Sequence, residues 1–324
     1  MKIIDMHCDT ISRIYQERRQ GKHALLRSNF FHLDLEKMKK TGYLLQNFAI
    51  FLDIKQTANP YEEAKKQIAL FQEEIQNNQD MIAPALSYSD ILENEKQGKM
   101  SALMTLEEGE ICERSLEKLE EFYDLGARMM TFTWNYPNGL GFPGEPAAAH
   151  LSQSQGLTSL GMEFLERMEE LGIIPDVSHL SDAGIRDVCR LARKPFCASH
   201  SNARALCQRG RNLPDSLIRS IAEHGGVIGA NYYGPFLSQI PDVFGRYYGY
   251  VKDIALHIRH ISDVGGINCI GLGSDFDGID NHLELKNCSL MDLLEEELKK
   301  IGFHESEIDK IFYQNVLAFY QELL

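Results

Sequence analysis

Near its start the sequence sets a histidine and an aspartate two residues apart, in His7-Cys8-Asp9. In an extended segment such residues project to the same side, so this H-x-D presents an imidazole and a carboxylate to one point. Glu107 (in T-L-E-E-G), His179 (in D-V-S-H) and His200 (in A-S-H-S) each follow a short apolar run, as does Asp275 in G-L-G-S-D-F-D-G. Taken singly, each is an ordinary strand-end residue. Their recurrence at the same place in successive units points to a shared site. Imidazole nitrogens with carboxylate oxygens suit zinc or a similar divalent ion, and one carboxylate has two oxygens with which to bridge two ions.

The apolar runs that deliver these residues read as strands over residues 2–7, 43–51, 100–106, 128–133, 173–177, 196–199, 227–232 and 269–274. Most are followed by stretches at helical spacing, as at 60–79, 115–125, 157–171, 181–193, 212–224 and 247–264, and two further helices at 290–301 and 306–324 close the chain. Eight strands alternating with helices, with no linker or short repeat, predict an α/β fold: a (β/α)8 TIM-type barrel, a single domain over 1–324 with closing C-terminal helices. In such a barrel the C-terminal strand ends converge on one mouth. That brings His7, Asp9, Glu107, His179 and His200, from four strands, together with Asp275 from the last. An open doubly wound sheet is the rival, but no glycine-rich nucleotide motif follows any strand.

Other residues near these ends are weaker candidates. The irregular, Gly- and Pro-rich residues 134–155 read as a functional lid, with His150 inside it. Tyr232 and Tyr233 end the seventh strand and are placed to line a pocket. His257 and His260, three apart on a helix, read as structural.

A chain of 324 residues with 44% apolar and 25% charged residues is an ordinary globular one. Its formal net charge of -14 argues against nucleic acid or an anionic membrane as the main partner. Seven scattered cysteines, odd in number and without a C-x-x-C pair, fit reduced thiols in a cytoplasmic protein. The opening M-K-I-I-D-M-H reads as a strand, so no secretory leader, membrane span or lipid anchor is expected.

Taken in order, D-M-H-C-D-T, D-V-S-H-L-S, A-S-H-S-N-A-R, R-N-L-P-D, G-L-G-S-D-F-D-G and the late N-V-L-A-F resemble the membrane (renal) dipeptidase family of zinc metallopeptidases, in particular its soluble bacterial members. The resemblance runs over nearly the whole chain. It implies a barrel with two Zn2+ ions, or similar divalent metals: His7 and Asp9 on one, His179 and His200 on the other, Glu107 and a hydroxide bridging them. Asp275 matches the acid that exchanges protons with the metal-bound water. Arg211, beside Asn212, matches the arginine that pairs with the substrate's terminal carboxylate.

The implied reaction is hydrolysis of a dipeptide, a small-molecule partner, to free amino acids. Two divalent ions lower the pKa of a shared water to about 7, and Asp275 then supplies a proton to the leaving amine. Arg211 offers a planar fork that suits a free C-terminus. Family members often form dimers, so a homodimer is compatible with the resemblance. Many animal members carry a histidine just after the T-x-T of the fourth strand. Here Trp134 stands there, followed by Asn135, and a donor to the substrate is expected from the indole N–H or from Asn135. A two-metal amidohydrolase acting on cyclic amides or lactones usually has H-x-H and often a bridging lysine, where this chain has H-x-D and Glu107. A catalytically silent metal-binding homologue is the remaining alternative, against which the complete ligand set speaks.

Overall fold

All nine strands of the sheet run parallel, and eight of them close into a ring. The computed structural model describes residues 2–145, 154–280 and 282–324. The strands are β1 (Ile3–Cys8), β2 (Tyr43–Phe51), β3 (Ile82–Pro84), β4 (Met100–Glu107), β5 (Ala127–Thr131), β6 (Ile174–Asp176), β7 (Cys197–Ala198), β8 (Val227–Ala230) and β9 (Ile270–Leu272). β1 pairs with β2 and β9, β2 with β4, and β4 through β9 follow in sequence, so the barrel has no free edge. All eight expected strands are barrel strands. The ninth, β3, lies beside residues Met100–Ala102, at the start of β4, before β5 joins the same edge at Met104. Three residues ending in proline are too few to show a period.

β2 and β4 are buried along almost their whole length, between helices on one side and barrel interior on the other. That is why they read as continuous apolar runs instead of alternating ones. The helix Thr10–Arg19 was not expected: Ile11 and Ile14 are its only aliphatic residues, and Asp9 ahead of it makes no side-chain cap. Leu35–Thr41 was also missed, although Asp34 caps it through Lys37 N and Gly42 ends it at a φ of 79°. The helix expected from residue 212 begins at Asp215, because Leu213 is drawn into a bridge with Ala203.

The closing helix Asn315–Leu323 plugs the N-terminal face of the barrel. Its Val316, Phe319 and Tyr320 pack with Ile4, Met6, Leu45, Leu103 and Met129. The buried Tyr320 hydroxyl donates to Asn47 Oδ1 at 2.9 Å, which satisfies a polar tip inside an apolar cluster. Each such ring removes enough apolar surface to contribute about 1.5–3 kcal/mol. The open mouth is thereby the C-terminal face.

Within the loop after β5, residues 134–145 are pinned by Asn138, whose Oδ1 accepts from Leu140 N and Gly141 N and whose Nδ2 donates to Phe132 O. His150 and the middle of the expected lid, residues 146–153, lie outside the described residues. All seven cysteines are unpaired. Among the described residues no helix is long and apolar enough to cross a membrane.

Candidate metal centre and substrate cavity

Each expected ligand sits at or just beyond a strand's C-terminal end. His7 lies near the end of β1, and Asp9 is the residue before the helix that follows. Glu107 is the last residue of β4, while His179, His200 and Asp275 lie two or three residues past β6, β7 and β9. His179 (φ 68°), Asp275 (62°), Asp277 (69°) and Glu108 (92°) all take left-handed or related backbone at these turns. Such conformations cost a non-glycine residue about 1 kcal/mol or more, and all four occur in the turns that follow barrel strands.

Two buried acids hold these turns together. Asp5 Oδ1 accepts from His7 N at 3.2 Å and Ser274 N at 2.9 Å, tying β1 to β9. Asp176 Oδ1 accepts from Ser178 N and Ser199 N, both at 2.9 Å, tying β6 to β7. Neither was singled out from sequence. The signal was there, since an acid inside an apolar strand demands a buried partner.

Glu107 divides its carboxylate between two groups of side chains. Oε2 stands 3.2 Å from His7 Nε2, and Oε1 stands 3.1 Å from His179 Nε2 and 3.7 Å from His200 Nε2. His7 Nε2 is also 3.3 Å from Asp9 Oδ2 and 3.9 Å from Asp275 Oδ1. The donor atoms of His7, Glu107 and His200 all lie within 4.8 Å of one another, as do those of His7, Asp9 and Asp275.

The hydrogen bonds fix which nitrogens carry lone pairs. Ser199 Oγ donates to Asp176 Oδ2, so it accepts from His200 Nδ1–H at 2.7 Å. Asn135 Oδ1 accepts from His179 Nδ1–H at 3.1 Å. Both Nε2 atoms therefore present lone pairs, and they face each other at 2.9 Å beside the Glu107 oxygen. Three lone pairs converging in a buried space fit a cation, and the outward N–H of each imidazole on an acceptor is the usual support for a metal-binding histidine. Asp9 Oδ1 is buried without a protein partner among the described residues, which fits a second cation on that side.

The electrostatics agree. Burial raises Asp275 to about 7 and Asp9 to about 6, with Glu107 adding to both and His7 acting against the rise. Burial would also raise Glu107, but His7 and His179 hold it below the usual carboxylate range. Burial and Arg211 push His179 down to about 4, and burial together with His7 depresses His200 as well. Both are thus neutral imidazoles, the form that binds metal.

A cavity of about 250 Å³ opens on this centre. Asp9, Glu107, His179 and Asp275 form its floor, and Phe51, Trp134 and Arg13 stand on its walls. Trp134 packs edge-on to Phe51 at 4.9 Å, and its backbone N–H donates to the buried Glu108 at 3.1 Å. Asn135, expected from sequence as a donor to substrate, uses its amide oxygen to hold the His179 ring.

Two expected substrate contacts are corrected. Tyr232 is fully buried, edge-on to Phe276 at 5.6 Å, and does not line the cavity. Side chains alternate at the end of β8, and it is the neighbouring Asn231 that points inward, donating to Asp275 Oδ2 at 2.8 Å. Asn212 is buried too, its Nδ2 bracing the carbonyls of Cys207 and Phe236. Arg211 is buried beside the centre, held by Ser201 Oγ at 3.0 Å and His200 O at 2.9 Å, with its Nε lacking a protein partner among the described residues. His257 is structural, accepting from Ala203 N and donating to Leu237 O, both at 3.0 Å.

A sequence profile of the membrane dipeptidase family, peptidase family M19, matches residues 1–323. The chain is 30% identical over 273 residues to a protein encoded in the 5' region of pqqA in Klebsiella pneumoniae, spanning 80% of this chain and 95% of that protein. It is 28% identical over 297 residues to an uncharacterized dipeptidase of Schizosaccharomyces pombe, spanning 86% and 69% of the two. Among solved structures, a metallo peptidase from Rhodobacter sphaeroides, liganded with a phosphinate mimic of the dipeptide L-Ala-D-Ala, aligns over 100% of this chain and 99% of that one with a TM-score of 0.89. At 23% identity that likeness speaks to the fold. A profile match that leaves a single residue uncovered is decisive: the chain belongs to the membrane dipeptidase family and is a metallo-dipeptidase.

Proposed function

We propose that the chain hydrolyses dipeptides to free amino acids at a centre of two zinc ions or similar divalent metals. The observation that carries this reading is the division of Glu107, one oxygen toward His7 and the other toward His179 and His200. In this reading His7 and Asp9 hold one ion, His179 and His200 the other, and Glu107 both. Bound there, the pair would supply a water acidified to a pKa of about 7 and a Lewis acid for the peptide carbonyl.

The chain's own residues do the rest. Asp275, steadied by Asn231, forms part of the cavity floor, where it takes a proton from the attacking water and returns it to the leaving amine. Arg211 receives the substrate's terminal carboxylate. Two protein acceptors hold its guanidinium in place, and its buried Nε–H, without a partner among the described residues, costs about 1–3 kcal/mol, which a carboxylate would relieve. Phe51 and Trp134 wall the cavity with apolar surface and keep bulk water from one side of the substrate.

The test is a metal analysis of the purified protein with a substrate panel: L-Ala-L-Ala, L-Ala-D-Ala, a cyclic amide and a lactone. We expect release of amino acids from the dipeptides. Turnover of the cyclic amide or lactone alone would make the protein an amidohydrolase instead, and bound metal with no turnover a silent homologue.

A further inference from the structure

The helix Thr10–Arg19 brings a cationic side chain to a centre otherwise lined with acids. Of the described residues that line the inner cavity, Asp9, Glu107, Asp275 and Asp277 are acidic and Arg13 alone is permanently cationic. Arg13 is half exposed, its guanidinium 5.6 Å from the centre of the Phe31 ring and 3.3 Å from Glu17, one helical turn on, its one ion pair among the described residues. Gln16, on the same helix face, also lines the inner cavity and marks its continuation into an outer groove of about 690 Å³ beside Arg19. This wall therefore offers donors to an anion, on a chain whose net charge is -14.

This inference rests on the dipeptide substrate that the proposed function assigns. A dipeptide with its carboxyl end toward Arg211 and its scissile bond over Glu107 would direct the side chain of its first residue toward the wall made by Trp134, Arg13 and Gln16. We propose that Arg13, with Gln16 beside it, is a carboxylate subsite that makes dipeptides with an acidic first residue, L-Glu-Xaa and L-Asp-Xaa, the preferred substrates. The pairing is charge-assisted, and it reads the side chain without touching the reacting atoms.

The experiment compares kcat/KM for L-Glu-L-Ala and L-Gln-L-Ala, which differ in charge and scarcely in shape, on the metal-loaded protein, with L-Ala-L-Ala alongside. Because the pair is partly solvated, we expect L-Glu-L-Ala to be favoured by about fivefold, mainly through KM. Arg13→Gln should bring the ratio to about one, and Glu17→Gln, which releases Arg13 from its ion pair, should raise it. A wild-type ratio of one or below, or a ratio that Arg13→Gln leaves unchanged, overturns the subsite while turnover of L-Ala-L-Ala leaves the dipeptidase reading standing. Failure to hydrolyse any of the three overturns that reading, and the subsite with it.

Discussion

The Nε2 atoms of His179 and His200 face each other at 2.9 Å with lone pairs on both sides. Their outer nitrogens are already donors, to Asn135 and to Ser199. Burial keeps both rings neutral. A proton between them is disfavoured, so the pair suits a cation, and Glu107 reaches from it to His7 on the other side.

Glu107→Gln keeps the shape of the side chain but removes its charge and one ligating oxygen. Bound divalent metal should fall from about two ions per chain to one or fewer, and activity by at least about 100-fold. Elemental analysis of the purified variant measures the first; an unchanged metal content would remove the bridging role.

Asn135→Ala deletes the acceptor that orients His179. Metal affinity should drop by about 10- to 100-fold, whereas Asn135→Asp, which keeps an acceptor oxygen, should hold most of it. Competition against a chromophoric chelator reads the difference, and wild-type affinity in the alanine variant would show that the bond at 3.1 Å does not position the ring.

Arg211→Ala should raise KM for free dipeptides by about 10- to 100-fold, the value of hydrogen bonds to a charged group. C-terminally amidated dipeptides should lose little by comparison. Equal losses on both would show that Arg211 supports the loop and not the substrate.

Gly278 has no room for a side chain, since an added Cβ would stand 2.1 Å from Asp9 Oδ2 and 2.6 Å from Asp275 Oδ1. Gly278→Ala should fold with an unchanged far-ultraviolet circular dichroism spectrum yet lose at least about 100-fold in activity, the usual result of moving reacting groups by an ångström. Near-normal activity would mean that the acids tolerate displacement.

His257 supplies a pH dependence of stability through a group that ligates nothing. Burial lowers it from 6.5 to about 4, and its Nδ1 accepts from Ala203 N, so protonation would set two donors against each other. Between these values the unfolded chain binds a proton that the folded one refuses, so stability present above pH 6.5 is lost as the pH falls toward 4. From pH 7 to 5 the loss should be roughly 2 kcal/mol. Urea unfolding at both pH values should show a smaller decline for His257→Gln than for the wild type; parallel declines would sink the assignment.

By itself the sequence determined the eight barrel strands, most of their helices and the six residues His7, Asp9, Glu107, His179, His200 and Asp275 at the strand ends. Those features are local: apolar runs between helical periods, and an H-x-D whose geometry follows from the two-residue pleat. Short or polar elements such as β3 and Thr10–Arg19 carried too few apolar residues to show a period. Only the tertiary structure decided which way a side chain points once a strand has ended. It turned Asn231 inward and Tyr232 into the core, gave Asn135 to His179, buried Arg211 and Asn212, and left no space at Gly278. Those outcomes depend on positive-φ turns and on contacts between segments far apart in the chain, such as Asp5 with Ser274, which are 269 residues apart. No local pattern records such a contact, because it exists only when the barrel closes.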